Sequence, residues 1–476
     1  MNASASPGRS CGVAAFVGTA LLTLLAGCGG GGGGSGDGDG DGDGGTGACG
    51  ETARKQWVLN VARDWYLFPE TLPASIDLSS YATAEALLDG LTANARAQGK
   101  DRHFSYLTTR AAENSLLGEG EFVGFGFRNR TDPGNRPIIL DVFDASPAAD
   151  AGLLRGDEIV AVDEGRGYVP VSESLAGGST LSDLLGPATA GLTRGLRLLR
   201  NGTTFDARMT KRTVSLDPVP DAYGASVLPL AGTTGVGYLH LRSYVSTADA
   251  QLRAAFADFR ARGLDDFIVD LRYNGGGLVS TAELIDNLLG AARSTADVQF
   301  ALVHNAARSN QDATVRFAPQ AQSVRPVRIA FLTTETTASA SEINVNAMQP
   351  YVEVALVGGN TLGKPVGQLA FDLSGCEDRL RLVAFKTVNS LGEGDYYAGL
   401  APVVRHACAA TDTPDAPLGS VDDRLVQEAL YWLANGACRS LIAADTAGEA
   451  FKPDAARETR HPRQHSPAEH WLPGVQ

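Results

Sequence analysis

Val327-Arg-Ile-Ala-Phe-Leu-Thr-Thr-Glu-Thr-Thr-Ala-Ser339-Ala-Ser-Glu342 is the stretch that decides the fold. An apolar run ends at two threonines, a polar turn follows, and small residues open a helix expected to reach about Gln349. A buried strand feeding a loop and then a helix is the unit of an α/β protein with a largely parallel sheet. The unit recurs on both sides. Asp266-Phe-Ile-Val-Asp-Leu-Arg272 is a buried strand closed by the tight loop Tyr273-Asn274-Gly275-Gly276-Gly277. Val354-Ala-Leu-Val-Gly-Gly-Asn-Thr-Leu-Gly-Lys364-Pro-Val-Gly-Gln368 is another strand with a loop. Val236-Gly-Tyr-Leu-His-Leu241 reads as a strand, and residues 248–262 and 280–289 read as helices.

Lys364 carries the chemistry. The chain has 34 arginines and only six lysines, so positive charge is ordinarily supplied by arginine, and a lysine in a loop beyond an apolar strand stands out. Lys364 follows Ser339 by 25 residues. A serine with a lysine is one of the recurring nucleophile–base pairs of hydrolases. Lysine has an ordinary pKa of roughly 10.4 and must be desolvated to act as a base. Leu362, Pro365 and Val366 are the apolar neighbours expected to do this, and Gln368 is placed to orient the amine. Ser339 at a helix start lies near the positive end of the dipole, with the Ala340 amide facing an oxyanion. A second donor is expected from the glycine loop, at Gly276, because glycine permits close backbone approach. The histidines His103, His240, His304 and His406 offer a rival Ser-His-Asp arrangement, but none sits in a motif. Read blandly, Ser339 and Ser341 are helix caps and Lys364 is a surface charge.

The remainder says how such a site is held. A length of 476 residues implies two or three domains, and a net charge of −14 excludes nucleic acid as a partner. Residues 29–48 are almost wholly glycine and aspartate and cannot form a core, so 28–50 reads as a flexible tether. Residues 51–112 carry helical spacing through Trp57, Val58, Val61 and Trp65 and read as a helical cap. From 113 to 213 the texture is short strands and turns. Residues 214–445 form the α/β core, and 446–476 is polar, proline-bearing and expected to be disordered, with His461, His465 and His470 scattered through it. Cys49, Cys376, Cys408 and Cys438 suggest two disulfides in an oxidising compartment. Of three possible connectivities, Cys376–Cys408 with Cys49–Cys438 is favoured, the first to staple one polar insertion and the second to tie the start of the fold to its end. No metal and no cofactor is expected.

Three resemblances follow from these residues. The start of the chain, an apolar run ending Leu25-Ala26-Gly27-Cys28, resembles a bacterial lipoprotein signal (residues 1–27) with Cys28 lipidated. That implies a membrane partner through the lipid anchor, at the cell envelope of a Gram-negative-type bacterium, facing the periplasm from the outer membrane. Gly124, Phe125, Gly126 and Phe127, the strand 138–143 and the Ser146-Pro-Ala-Ala-Asp-Ala-Gly152-Leu-Leu-Arg-Gly156-Asp157 run resemble a PDZ domain, which holds a peptide C-terminus as an added strand. One of the two phenylalanines is expected to be plain core. The Thr-Ala-Ser-Ala-Ser-Glu run at 337–342, the run Thr361-Leu-Gly-Lys364-Pro-Val-Gly-Gln368 and Asp270-Leu-Arg272-Tyr-Asn274-Gly-Gly276 resemble the S41 peptidases, the carboxyl-terminal processing proteases. Pro365 and Gly275 depart from that family's usual residues. The resemblance implies a multidomain α/β fold with a ClpP/crotonase-like core. It also implies a serine endopeptidase with Ser339 as nucleophile, Lys364 as base, Gln368 as its orienter and Gly276 with Ala340 as the oxyanion hole. Its partners would be protein or peptide substrates bound by the C-terminus, with an adaptor or activator protein as a further partner. The alternative is a catalytically silent peptide-binding or adaptor lipoprotein.

Overall fold

The run at 327–342 folds as its pattern dictates. Arg328–Thr333 is an inner strand of a six-stranded sheet, and a helix follows at Ala340–Met348. In spatial order the strands are Ala225–Leu228, Val236–His240, Asp266–Asp270, Arg328–Thr333, Glu353–Gly358 and His406–Ala409. Only the first is antiparallel to its neighbour; the rest run parallel. The computed structural model describes residues 47–132, 134–442 and 472–476. The expected leader, Cys28 and most of the tether lie outside the described residues.

The strands alternate strictly. Phe267, Val269, Ile329, Phe331 and Leu356 face the helices Ala248–Ala261, Val279–Leu288 and Ala340–Met348, while Ile268, Ala330, Leu332 and Val357 face the helix Arg424–Asn435 and its Trp432. Burial on both faces explains the unbroken apolar runs. Register aligns the carboxyl ends: Asp270 lies beside Leu332, and Leu332 beside Val357. The loops 271–278, 334–339 and 359–365 therefore emerge side by side, where α/β sheets place their ligands.

The N-terminal helices Glu51–Trp65 and Ala84–Ala97 do not close a core of their own. Val58, Leu59, Ala62, Leu87 and Leu91 pack on Val366, Leu380, Leu382 and Val383 of a second, antiparallel sheet. That sheet contains Val366–Asp372, Asp378–Asn389 and the short strand Tyr106–Thr109. The strand carrying Gln368 is thus sandwiched against the N-terminal region.

Residues 121–215 form a third layer. Phe127–Thr131, Pro137–Val142, Glu158–Asp163, Thr193–Arg200 and Thr203–Thr210 make a sheet in that order, with Tyr168–Pro170 added on Glu158–Asp163. Phe127–Thr131 is an edge strand. Phe125 and Phe127 are both fully buried in this unit's core, so the expectation that only one packs there is corrected. Ser146 caps the short helix Pro147–Asp150, its Oγ accepting from the Ala149 amide at 3.1 Å, as the Ser-Pro-Ala spacing suggests.

Two sequence expectations change. The disulfides are Cys49–Cys376 and Cys408–Cys438, not the favoured pairs. Packing of the first helix on the Val366–Asp372/Asp378–Asn389 hairpin brings Cys49 to the hairpin turn. Cys408 lies on a core strand beside the segment that follows the last helix, where Leu441 bridges it. Replacing Cys408 and Cys438 by serine should cost about 3.6 kcal/mol in urea unfolding, because the bond closes a loop with a sequence separation of 30. An unchanged midpoint would mean the bond constrains nothing. The tail also differs. Residues 443–471 lie outside the described residues, but 472–476 hold a defined place on the edge strand Phe127–Thr131, with Val475 opposite Arg128.

Candidate active site

The glycine loop is anchored from below. Arg272 is fully buried and donates to Asp270 at 2.9 Å and to Asp423 at 2.7 Å. Burial would raise the Asp270 pKa, but Arg272 and His240 beside it hold it well below the usual carboxylate range. Asn274 then organises the turn. Its Nδ2 donates to the Leu241 carbonyl at 2.7 Å, and its Oδ1 accepts from the Gly276 amide at 2.9 Å. The Asn274 carbonyl accepts from the Ala338 amide at 3.1 Å and from Ser341 Oγ at 3.1 Å. Ser341 is thereby committed to joining the two loops.

Ser339 stands at the strand-to-helix turn with φ 57° and ψ −118°, a conformation that a non-glycine residue adopts only when its surroundings impose it. Gly276, with φ 101°, lies against it: a Cβ there would fall 2.8 Å from Ser339 Cβ and 2.9 Å from the Ala340 nitrogen. No side chain fits between these loops.

Glu342 fastens the Ser339 loop to the Lys364 loop. Fully buried, its Oε2 accepts from the Ser339 amide at 3.0 Å and the Lys364 amide at 2.8 Å, and its Oε1 accepts from the Gly363 amide at 2.8 Å. Burial raises its pKa, opposed by hydrogen bonds from Thr361 and the three amides. One carboxylate oxygen therefore holds the backbones of Ser339 and Lys364 together.

Lys364 Nζ donates to Gln368 Oε1 at 3.0 Å and sits 5.1 Å from the centre of the Phe104 ring. Burial pushes its pKa down to about 8, against the pull of Asp101 and Glu342. Gln368 Nε2 donates in turn to the Phe104 carbonyl. Arg102 donates to the Leu362 carbonyl at 2.5 Å and the Gly363 carbonyl at 2.7 Å. Asp101 receives the amides of Phe104 and Ser105 at 2.8 and 3.1 Å, fixing this wall.

Ser339, Ala340, Gly276 and Lys364 thus share one end of the parallel sheet, and Gln368 reaches Lys364 from the antiparallel one. The structural parts of Glu342, Asp101, Arg102 and Phe104 have no counterpart in the sequence reading. Glu342 stood in the quoted run, and its three-residue offset from a helix-capping serine was a signal available for it. Nothing local marked Phe104. Gly124, Phe125, Gly126 and Phe127 lie apart, in the smaller β unit. That unit touches the site through Arg128, whose buried guanidinium is 5.7 Å from the Tyr273 ring, and Arg155, which donates to Tyr273 Oη at 3.1 Å.

Residues 235–402 match the family model Peptidase family S41, and residues 53–106 match the Peptidase S41 N-terminal domain. Residues 53–106 and 235–402 are thus those of an S41-type peptidase. Among S41 relatives, the carboxyl-terminal-processing protease of a Synechocystis species is 29% identical over 258 residues, covering 54% of this chain and 56% of its own length. That of a Picosynechococcus species is 28% identical over 263 residues, covering 53% and 57%. The chain thus spans a little over half the length of these curated relatives. In fold, it is similar to the crystal structure of a candidate S41 protease from Bacteroides fragilis, with a TM-score of 0.63 at 24% identity, covering 79% of this chain and 97% of that one. The S41 model takes in every core strand from Val236 to Asp378–Asn389 that bears on the site, and the N-terminal model reaches Phe104.

Proposed function

We propose that the chain is a serine endopeptidase working through Ser339 and Lys364. The observation that carries the reading is a buried lysine whose pKa is held near 8, joined to a strained serine through one carboxylate. Neutral Lys364 takes the Ser339 Oγ proton as Oγ bonds to the substrate carbonyl carbon. The developing oxyanion is met by the Ala340 amide and the Gly276 amide. The latter now meets Asn274 Oδ1, so the oxyanion must share that N–H or draw it away. Collapse breaks the C–N bond, and the Lys364 ammonium returns the proton to the leaving amine. Water, deprotonated by Lys364, then bonds to the acyl carbon, the bond to Ser339 Oγ breaks, and the Lys364 ammonium returns the proton to Oγ. Gln368 holds Nζ throughout.

The β unit of residues 121–215 serves as a PDZ-like module, its edge strand Phe127–Thr131 accepting a substrate C-terminus by strand addition. A lipidated Cys28 would hold the enzyme at the envelope, and envelope proteins would be its substrates.

The base must be neutral, so kcat/KM should climb as pH rises and level off above about 8. Phe104→Ala should admit water to Nζ, raise the lysine pKa and move that limb to higher pH; an unmoved limb would detach Phe104 from the base. The test of the whole reading is incubation with an unfolded protein bearing an apolar C-terminus across this range. Fragments with this pH profile support it. A folded protein that binds the substrate's C-terminus and cuts nothing at any pH is an adaptor.

A further inference from the structure

We propose that the chain carries its own ligand for the peptide groove: Leu472-Pro-Gly-Val-Gln476 occupies, within the same molecule, the site where a substrate C-terminus would bind. The inference rests on the PDZ-like reading of residues 121–215.

The contacts are those of an added strand. The amides of Phe125 and Gly126 donate to the Gln476 carbonyl-end oxygen at 3.0 and 2.8 Å. The Gln476 amide donates to the Phe127 carbonyl at 2.9 Å, and the Asn129 amide to the Gly474 carbonyl at 2.9 Å. Val475 pairs antiparallel with Arg128. Two loop amides converging on one backbone oxygen are the arrangement that suits a bound carboxylate. Gln476 Nε2 donates to Ser182 Oγ at 3.0 Å, on the helix Leu181–Leu185 across the groove.

Side chains and glycines agree with the backbone. Leu472 and Val475 are buried with Leu116, Leu117, Phe122, Phe143 and Val245, between the β unit and the core. Gly124 lies so close that a Cβ would come 2.9 Å from the Gln476 oxygen, and a Cβ on Gly474, at φ 74°, would fall 2.2 Å from the Asn129 carbonyl. Both partners of the contact are glycine where approach demands it.

The Gln476 side chain is polar, whereas the expected substrates end in apolar residues. A tethered ligand acts at an effective concentration on the order of mM for short linkers, so a modest intrinsic affinity suffices to keep the groove filled. A substrate C-terminus must displace it. The tail sets a threshold for capture.

The test measures binding alone, with Ser339→Ala present so that cleavage plays no part. Fluorescence anisotropy follows two labelled peptides, Leu-Pro-Gly-Val-Gln and a peptide of equal length with an apolar C-terminus. They are added to the full chain, to Gly474→Ala and to a chain lacking residues 472–476. Both peptides should bind the shortened chain and Gly474→Ala about tenfold more tightly than the full chain. Equal affinity of the apolar peptide for all three, with Leu-Pro-Gly-Val-Gln binding none, overturns the tail proposal and leaves the groove reading intact. Binding of Leu-Pro-Gly-Val-Gln to the shortened chain alone, with no apolar peptide bound anywhere, supports the tail and ends substrate capture. Blocking that disappears on dilution assigns the groove to a second copy's tail and overturns the intramolecular proposal.

Discussion

Ser339→Ala and Lys364→Met should each lower kcat/KM by at least about 10⁴-fold while leaving the protein folded, and the double variant should be no worse than either. In the proposed mechanism the two groups act on one proton, so removing either leaves the other idle. Methionine is the informative replacement for Lys364. It fills similar space in a pocket where burial already opposes the ammonium, so stability should hold or rise as activity disappears. Lys364→Arg should be equally inactive, because a guanidinium stays charged and cannot accept the proton. Near-parent cleavage by Ser339→Ala, followed on an unfolded protein substrate, would end the mechanism proposed for this site.

Glu342→Ala should do something different: impair folding and catalysis together. It strips the acceptor from the buried amides of Ser339, Gly363 and Lys364. Even partial loss of these bonds should cost about 3 kcal/mol in denaturant unfolding, since each unmet buried donor is worth about 1–3 kcal/mol. With both loops released, kcat should fall roughly 100-fold, the penalty for misplacing reacting groups by an ångström. Glu342→Gln separates geometry from charge. It keeps an acceptor oxygen but removes a carboxylate that raises the Lys364 pKa. The lysine pKa should therefore drop, the neutral base should be populated earlier, and the rising limb of the pH profile should move to lower pH. A merely structural role for Glu342 would leave that limb in place. A Glu342→Ala variant with normal stability and turnover would remove it from the site.

The site and the groove meet at Tyr273. Arg128 pairs through its backbone with Val475 and lays its side chain on the Tyr273 ring, one residue before Asn274 and three before Gly276. Residues 472–476 and the glycine loop are thus linked through Arg128 and Tyr273.

What could be read in advance divides along a physical line. The parallel sheet, the strand–loop–helix carrying Ser339, the glycine loop and the Lys364 loop were all legible. Each is a local pattern: a strand buried on both faces needs a continuous apolar run, and a close approach needs glycine. Their side-by-side emergence followed too, because parallel strands in register bring their loops to one end. Other features depended on which surfaces pack together. Phe104 reaches Lys364, and Arg102 its loop, only because the N-terminal helices bury their apolar stripe on the hairpin that carries Gln368. The same packing chose Cys49–Cys376 over the pairing of Cys49 with Cys438 expected to tie the start of the fold to its end. The tail is the sharpest case. Leu472-Pro-Gly-Val-Gln476 is too short, and with Pro473 and Gly474 at its centre too poor in strand formers, to announce a strand, and it has structure only because an edge strand leaves unpaired backbone groups beside it. By itself the sequence determined which residues could do chemistry and the local backbone each required. Only the tertiary structure decided which groups keep water from Lys364, which carboxylate joins its loop to Ser339, and what fills the groove, since these are contacts between segments whose separation along the chain leaves no local trace.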